Sequence, residues 1–191
     1  MDVTQFKQKW IVAANQKEKS VAQSHFLDLC ALLGVPTPTE ADPTGETYAF
    51  ERGASKAGGG DGWADVWYRG HFAIEYKGLH KNLDSAYLQI LKYKDALENP
   101  PLLVVCDLDT IRIRTNFTNT IQQTHEVTLA TIDEPGNLAM LKRMWTEPES
   151  FRPTITPDSV TADAARRFSE IAQRLHERGA EFACVSAVSA G

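Results

Sequence analysis

Residues Gly60–Lys77, GDGWADVWYRGHFAIEYK, decide how the rest of the chain is interpreted. Two short apolar runs flank a polar turn, which is the pattern of a β-hairpin. Asp65 lies on the first run, and Glu75 and Lys77 lie one residue apart on the second. Alternate side chains of a strand point to opposite faces, so Glu75 and Lys77 project together. Two carboxylates and a lysine in one small space predict a site that binds a divalent metal or moves a proton.

The length of the turn decides whether Asp65 faces the same space as Glu75. A two-residue turn at 70–71 sets Asp65 opposite Tyr76, on the wrong side. A three-residue turn at 69–71 sets Asp65 opposite Glu75. Paired residues of an antiparallel hairpin share a face, and a slip of one residue reverses every side chain. The candidate site therefore requires the three-residue turn, or a bulge that mimics it.

The composition is that of a globular protein. The chain has 191 residues, 42% apolar and 24% charged, which is enough for one domain and part of a second. No apolar run approaches the ~18 residues that cross a bilayer, and the N-terminus has no signal-peptide pattern. The net charge of −5 argues against nucleic-acid binding driven by charge alone, but not against a nuclease with an acidic metal site. Three scattered cysteines form no metal or redox motif, which indicates reduced thiols and a cytoplasmic protein.

Periodicity and helix-end signals predict the remaining elements. Ser20 and Gln23 form a capping-box pattern at the start of the second helix. The glycine-rich stretch 52–62 is expected to be a mobile loop, Tyr48–Glu51 a short strand or helical turn, and 116–136 has no clear pattern. Helices are expected over 4–13, 20–33, 82–98, 138–145 and 160–178, and strands over 102–106 and 111–114.

Asp65 and Glu75 are candidate ligands of Mg²⁺, which binds carboxylate oxygens and leaves positions for water and a phosphate oxygen. Lys77 is a candidate to orient or deprotonate the attacking water, or to neutralise developing charge. Glu51 is a candidate third carboxylate, with a surface acid as the alternative. The alternative for the whole set is a solvated hairpin whose charges meet by chance.

Five further residues are candidates to contact DNA or to support the site. Lys56, Lys81 and Arg69 are candidates for phosphate contacts, although each is individually explained by a solvated charge. Gln89 and Tyr93 are four residues apart on one helix face and are candidates to reach the site or the DNA backbone. For Tyr93, the alternative is packing.

These motifs together resemble a known enzyme family. Asp65, nine residues and then Glu75-Tyr76-Lys77 resemble the PD-(D/E)xK nuclease signature, and Gln89-x-x-x-Tyr93 resembles the QxxxY motif of RecB-type nucleases in that superfamily. Four stretches together resemble the N-terminal endonuclease domain of MmeI-like type II restriction-modification enzymes: residues 48–51, 62–66, 83–87 and 103–107.

The resemblance implies an α/β fold with a restriction-endonuclease-like core, a mixed central β-sheet flanked by α-helices. It implies Mg²⁺-dependent hydrolysis of DNA phosphodiesters, with Mn²⁺ as a substitute, and Asp65, Glu75 and Lys77 as the catalytic set. It divides the chain into an endonuclease domain (1–146), a linker (147–157) and the start of a helical spacer (158–179), and the departure after Gly179 predicts a disordered tail (180–191).

The sequence therefore predicts a metal-dependent endonuclease domain that acts on double-stranded DNA. The family's methyltransferase and target-recognition domains are expected in a full-length enzyme but not in this stretch, and a dimer on DNA is expected because two strands must be cut. Two alternatives remain. One is a non-catalytic interaction module of the same fold, and the other is a RecB-like DNA-processing exonuclease.

Overall fold

A six-stranded mixed sheet forms the centre of the computed structural model, which describes residues 1–13, 18–55, 61–79 and 81–188. The strands lie in chain order across the sheet, and only the β3–β4 pair is parallel. The strands are β1 (Tyr48–Ser55), β2 (Asp61–Tyr68), β3 (Phe72–Tyr76), β4 (Leu102–Cys106), β5 (Thr110–Thr115) and β6 (Thr124–Thr128).

Helices flank this sheet, which confirms the predicted α/β class with a restriction-endonuclease-like core. The single parallel pair requires a crossover, and the helix α4 makes it between β3 and β4. The helices are α1 (Val3–Ala13), α2 (Glu18–Leu33), α3 (Pro38–Ala41), α4 (Leu83–Leu91), α5 (Pro135–Thr146) and α6 (Pro157–Val188), with a 3₁₀ turn at Pro148–Phe151.

The β2–β3 hairpin has the three-residue turn that the candidate site requires. Tyr68 pairs with Phe72 and Val66 with Ile74, which is the register that sets Asp65 level with Glu75, although the paired residues end at Val66 and Ile74. The His71 N–H donates to the Tyr68 carbonyl, and Gly70 has a φ of 69°, a left-handed value that glycine adopts without strain.

The two faces of the sheet carry separate hydrophobic clusters. The α2 face packs β-strand residues such as Ile74 and Tyr76 against Phe6, Phe26 and Trp145 from α1, α2 and α5. The α4 face packs Trp67, Ala73 and Val105 against α4 residues such as Ile90. Both faces are therefore covered, as is usual for a sheet whose central strands are buried throughout.

Several sequence-based boundaries are wrong. Residues 52–55 and 61–62, predicted within a mobile loop, belong to β1 and β2, whereas 56–60 lie outside the described residues. The glycines suggested a loop, but strand pairing to Ser55↔Asp61 overrides that preference. The helix α2 begins at Glu18, so Ser20 lies inside it and does not cap it.

Two helix ends also differ from prediction. The helix α4 ends at Leu91, and turns follow up to Glu98, where Tyr93 and Leu97 stay buried and so preserve the apolar period that suggested a longer helix. The helix α6 continues to Val188, through most of the range predicted as a disordered tail. Residues 116–136, for which no element was predicted, contain β6.

The chain separates into two compact units. Unit 1 comprises Met1–Thr118 and Gln122–Arg152, so the expected linker contributes the 3₁₀ turn with its buried Phe151 to that unit. Unit 2 comprises Asn119–Ile121 and Pro153–Gly191, and the Ile121 N–H donates to the Ile155 carbonyl within it. In the described part of the chain, the helices lack the combination of length and apolar character needed to span a membrane.

Candidate active site

The carboxylate of Glu75 is the centre of a buried polar cluster on the α4 face. Lys77 Nζ and Gln89 Nε2 each donate to Glu75 Oε1 at 2.8 Å, and the Tyr93 hydroxyl donates to Oε2 at 2.6 Å. Lys77 also donates to Gln89 Oε1 at 3.2 Å. Glu75 is 4% exposed, so these donors replace the water that a carboxylate normally requires.

Two elements bring these four side chains together. Glu75 is the next-to-last residue of β3, next to the parallel strand β4, and Lys77 follows the strand, with its N–H donating to the Cys106 carbonyl. The helix α4 begins directly after this segment because Asn82 caps it, accepting hydrogen bonds from the N–H groups of Asp84 and Ser85. Gln89 lies in the last turns of that helix, and Tyr93 follows its end. The geometry therefore brings both QxxxY residues onto Glu75.

Burial keeps the Tyr93 hydroxyl in the form that donates. Burial first, and then the negative charge of Glu75, raise the pKa of Tyr93 far above its ordinary value. The charge of Asp65 acts in the same direction. Tyr93 therefore remains a neutral donor to Glu75 at any working pH.

Asp65 lies where β2 separates from β3. The Tyr76 N–H, beyond the last paired residues, donates to Asp65 Oδ2 at 2.6 Å. The Asp65 carboxylate thus takes the place of a strand carbonyl at the backbone N–H of Tyr76, the residue that follows Glu75. The side chains of β2 change faces here, since Ala64 packs on the α4 face and Val66 on the α2 face.

Glu51 explains this change of face. It lies between the Phe50↔Val66 and Arg52↔Ala64 pairs and has a φ of 50°, a left-handed value uncommon outside glycine. The unpaired position is directly across from Asp65. Glu51 and Asp65 line one small pocket together with residues of α2, β1, β2 and β3: Ala22, Gln23, Phe50, Val66 and Tyr76.

A buried pair that the sequence analysis missed lies on the other side of β3. The ring nitrogen Nδ1 of His25 is 2.9 Å from the Tyr76 hydroxyl, and the His25 ring also packs edge-on against Phe6 and Trp10. Burial, and then the charge of Lys9, lower the pKa of His25 to about 3, so its ring is neutral. No motif marks this pair, because its members are 51 residues apart in sequence.

Lys81 is not brought into the cluster. It is exposed in the turn before α4, and its backbone N–H donates to the Gly78 carbonyl. Lys56 lies outside the described residues. The phosphate contacts of both lysines stay predictions.

The donor set fits a hard divalent cation held in part by substrate. Among the described residues, no group of three or more Asp, Glu, His or Cys side chains is arranged to hold a metal ion. Mg²⁺ commonly takes one or two protein carboxylates and completes its shell with water and phosphate oxygens. The three donors to Glu75 occupy three of its roughly four acceptor positions, which leaves one on Oε2. Asp65 supplies the second carboxylate from the neighbouring strand.

Comparisons with known proteins identify the family. No curated protein and no solved structure matches the chain. The family described as "MmeI, N-terminal domain" matches residues 1–178, which include all of unit 1 and the first two thirds of α6. This match confirms the resemblance drawn from the sequence, and the chain belongs to the MmeI N-terminal domain family.

Proposed function

We infer that the chain is a metal-dependent DNA endonuclease domain, the cleavage module of a restriction-modification enzyme. The observation that carries this inference is the buried Glu75 carboxylate, held by Lys77, Gln89 and Tyr93, with the Asp65 carboxylate on the backbone N–H of the next residue of β3. Membership of a restriction-enzyme family supports the same conclusion. The substrate is double-stranded DNA, and recognition of a specific sequence belongs to other domains of such an enzyme.

Each residue has a distinct role in this proposal. Asp65 and Glu75 hold the cation, and Glu51 is available as a third carboxylate from the shared pocket. Mg²⁺ or Mn²⁺, when bound, lowers the pKa of water and stabilises charge on the phosphate oxygens. Lys77 donates a hydrogen bond to Glu75 and has a 24% exposed side chain, so its ammonium can also contact an attacking water or a phosphate oxygen.

Gln89 and Tyr93 act through Glu75 and do not contact the reacting atoms. Their hydrogen bonds fix the rotamer of a carboxylate that would otherwise leave the interior for water. Such outer contacts orient metal ligands, and their loss typically weakens metal binding about 10- to 100-fold. They are therefore positioning residues.

The test combines metal binding and cleavage on the same samples. Calorimetry with Mg²⁺ and Mn²⁺, and nicking of supercoiled plasmid, are measured for the 191-residue chain and for Asp65→Ala and Glu75→Gln. Glu46→Gln, at an exposed acid before β1, is the matched control. We expect binding and nicking in the wild type and in the control, and neither in the two site variants.

Three results would change this conclusion. A folded wild type that neither binds the metal nor nicks DNA contradicts the nuclease function and favours a non-catalytic interaction module. Binding without nicking supports the metal site but contradicts cleavage by this chain alone. Activity on linear DNA with no activity on circular DNA favours an exonuclease.

A further inference from the structure

Two arginines lie over the ring of one buried tryptophan. Trp67 is the largest fully buried side chain among the residues whose burial the structure describes, and its indole N–H donates to the Leu97 carbonyl at 2.8 Å, which fixes the ring. The guanidinium carbon of Arg52 is 4.7 Å from the ring centroid, and that of Arg69 is 5.5 Å away. Both cations are thus held by the same rigid aromatic surface.

The two arginines differ in how their charge is balanced. Arg69 donates from Nε and Nη2 to Glu98 Oε1, at 3.1 and 2.8 Å. For Arg52, no ion pair within 4.0 Å is formed with any side chain that the structure describes. One guanidinium is therefore already neutralised, and the other keeps its donors available.

Arg52 is next to the candidate active site. It pairs with Ala64, the residue before Asp65, so the α-carbons of Arg52 and Asp65 are on the order of 5–7 Å apart. Its guanidinium packs on Trp67, a residue of the α4-face cluster, and Glu75 lies on that same face. The unbalanced cation and the buried carboxylate thus share one face of the sheet.

We propose that Arg52 is a substrate-binding residue that holds a DNA backbone phosphate beside the cleavage site. This proposal rests on the inferred action on DNA. The planar guanidinium matches two phosphate oxygens, and its packing on Trp67 orders it before DNA arrives. A chain of net charge −5, with acids at its site, repels DNA unless a local cation offsets that repulsion.

Arg69 provides a matched control for this proposal. Arg52→Gln and Arg69→Gln remove the same charge and the same kind of contact with Trp67, but only the first removes a cation without an acidic partner. Binding of a short fluorescent DNA duplex is measured by anisotropy over a series of salt concentrations. The third variant is Arg52→Lys, which keeps the charge but loses the planar guanidinium that can contact two phosphate oxygens at once. Thermal unfolding establishes that each protein is folded.

We expect Arg52→Gln to weaken DNA binding roughly tenfold at ~0.1 M salt and to reduce the slope of log K against log salt by about 0.9. Arg69→Gln is expected to bind within about twofold of the wild type, and Arg52→Lys to keep the salt slope but bind less tightly. Equal losses in Arg52→Gln and Arg69→Gln would overturn the proposal, because they would reflect net charge alone. A wild type without measurable DNA binding at ~0.02 M salt would also overturn it.

Metal calorimetry on the same samples separates this proposal from the function on which it rests. Mg²⁺ binding is expected to survive in Arg52→Gln and to be lost in Asp65→Ala. If the wild type binds DNA with the predicted difference between the two arginines but binds no metal, the phosphate contact stands and the nuclease function fails. If metal binding and nicking follow expectation but Arg52→Gln binds DNA like the wild type, only the phosphate contact fails.

Discussion

Glu75 and Tyr76 are neighbours in β3, yet their side chains lie in opposite kinds of environment. Glu75 faces α4, where an ammonium, an amide and a hydroxyl converge on its carboxylate. Tyr76 faces α2, where its hydroxyl meets the neutral ring of His25 among apolar rings. Both side chains are almost completely buried.

The difference shows that the α4 face accommodates charged side chains and that the α2 face does not. On the α4 face, the Lys77 side chain is partly exposed, so a cation with access to solvent supports the buried carboxylate. On the α2 face, burial removes charge, because an ionised His25 would have no solvent and only Lys9 nearby. One face can therefore do chemistry, and the other holds β3 in place by neutral contacts.

Replacing Lys77 by Met should have the largest effect. It removes the cation from Glu75 but keeps the length of the side chain. We expect plasmid nicking to fall at least about a hundredfold and the free energy of unfolding to fall by roughly 1–2 kcal/mol, with the partial exposure of Lys77 limiting the latter. Urea unfolding measures the change in the free energy of unfolding, and the plasmid assay measures the change in nicking. Because Glu75→Gln removes the unpaired charge, the double variant should regain stability, and a double variant no more stable than Lys77→Met contradicts this account.

The second-largest effect is expected from acid, which should destabilise the protein through His25 on the α2 face. Because the folded-state pKa of His25, about 3, lies below the ordinary 6.5, the unfolded chain binds a proton that the folded protein excludes. Protonation of His25 in the unfolded chain therefore does not reduce the free energy of unfolding above about pH 6.5, and it reduces it progressively as the pH falls towards 3. When the pH is lowered from 7.5 to 4.5, the free energy of unfolding should decrease in both proteins. The decrease should be roughly 2–3 kcal/mol smaller in His25→Phe than in the wild type. His176→Phe, on exposed α6, should lose as much as the wild type; an equal loss in His25→Phe would refute the prediction.

Removing one hydroxyl from each face makes the comparison direct. Tyr93→Phe deletes a donor to the buried Glu75 carboxylate, and we expect metal affinity to fall roughly tenfold and the free energy of unfolding to fall by roughly 1–3 kcal/mol. Tyr76→Phe deletes the contact with His25, and we expect roughly 1 kcal/mol less stability with metal affinity unchanged. Calorimetry measures the metal affinity of both variants, and urea unfolding measures their stability. Similar effects of the two variants on metal affinity would mean that the faces are not functionally distinct.

Glu51→Gly should have the smallest effect on stability. Glycine relieves the left-handed strain at φ 50° but gains entropy in the unfolded chain, so the two terms nearly cancel, within about 1 kcal/mol. If Glu51 contributes a third carboxylate, Mg²⁺ affinity falls several-fold. Glu51→Asn, which tolerates the same backbone without a charge, is the control, and unchanged affinity in both variants assigns Glu51 to the surface.

The parts of the site that follow from short spacings were predictable. The three-residue turn and the convergence of Gln89 and Tyr93 on Glu75 depend on strand alternation and on one helical turn. The buried strand β4 was also predictable, because its five residues are all apolar.

Other parts depend on long-range pairing and left no local signal. The left-handed backbone of Glu51 arises within a ladder formed across a glycine-rich stretch that favours a loop. The contact between Arg52 and Trp67 requires that same ladder. The His25–Tyr76 pair joins α2 to β3, and its histidine looks like any other helical residue in the sequence.

The backbone conformation of Glu51 also bears on aggregation. The strand β1 is the last strand on its side of the sheet, and a regular run of its eight residues would offer a continuous row of backbone donors and acceptors to another chain. The left-handed residue interrupts that row at its centre and carries a charge there. The irregularity that accompanies Asp65 inside the fold therefore also discourages β1 from recruiting a foreign strand.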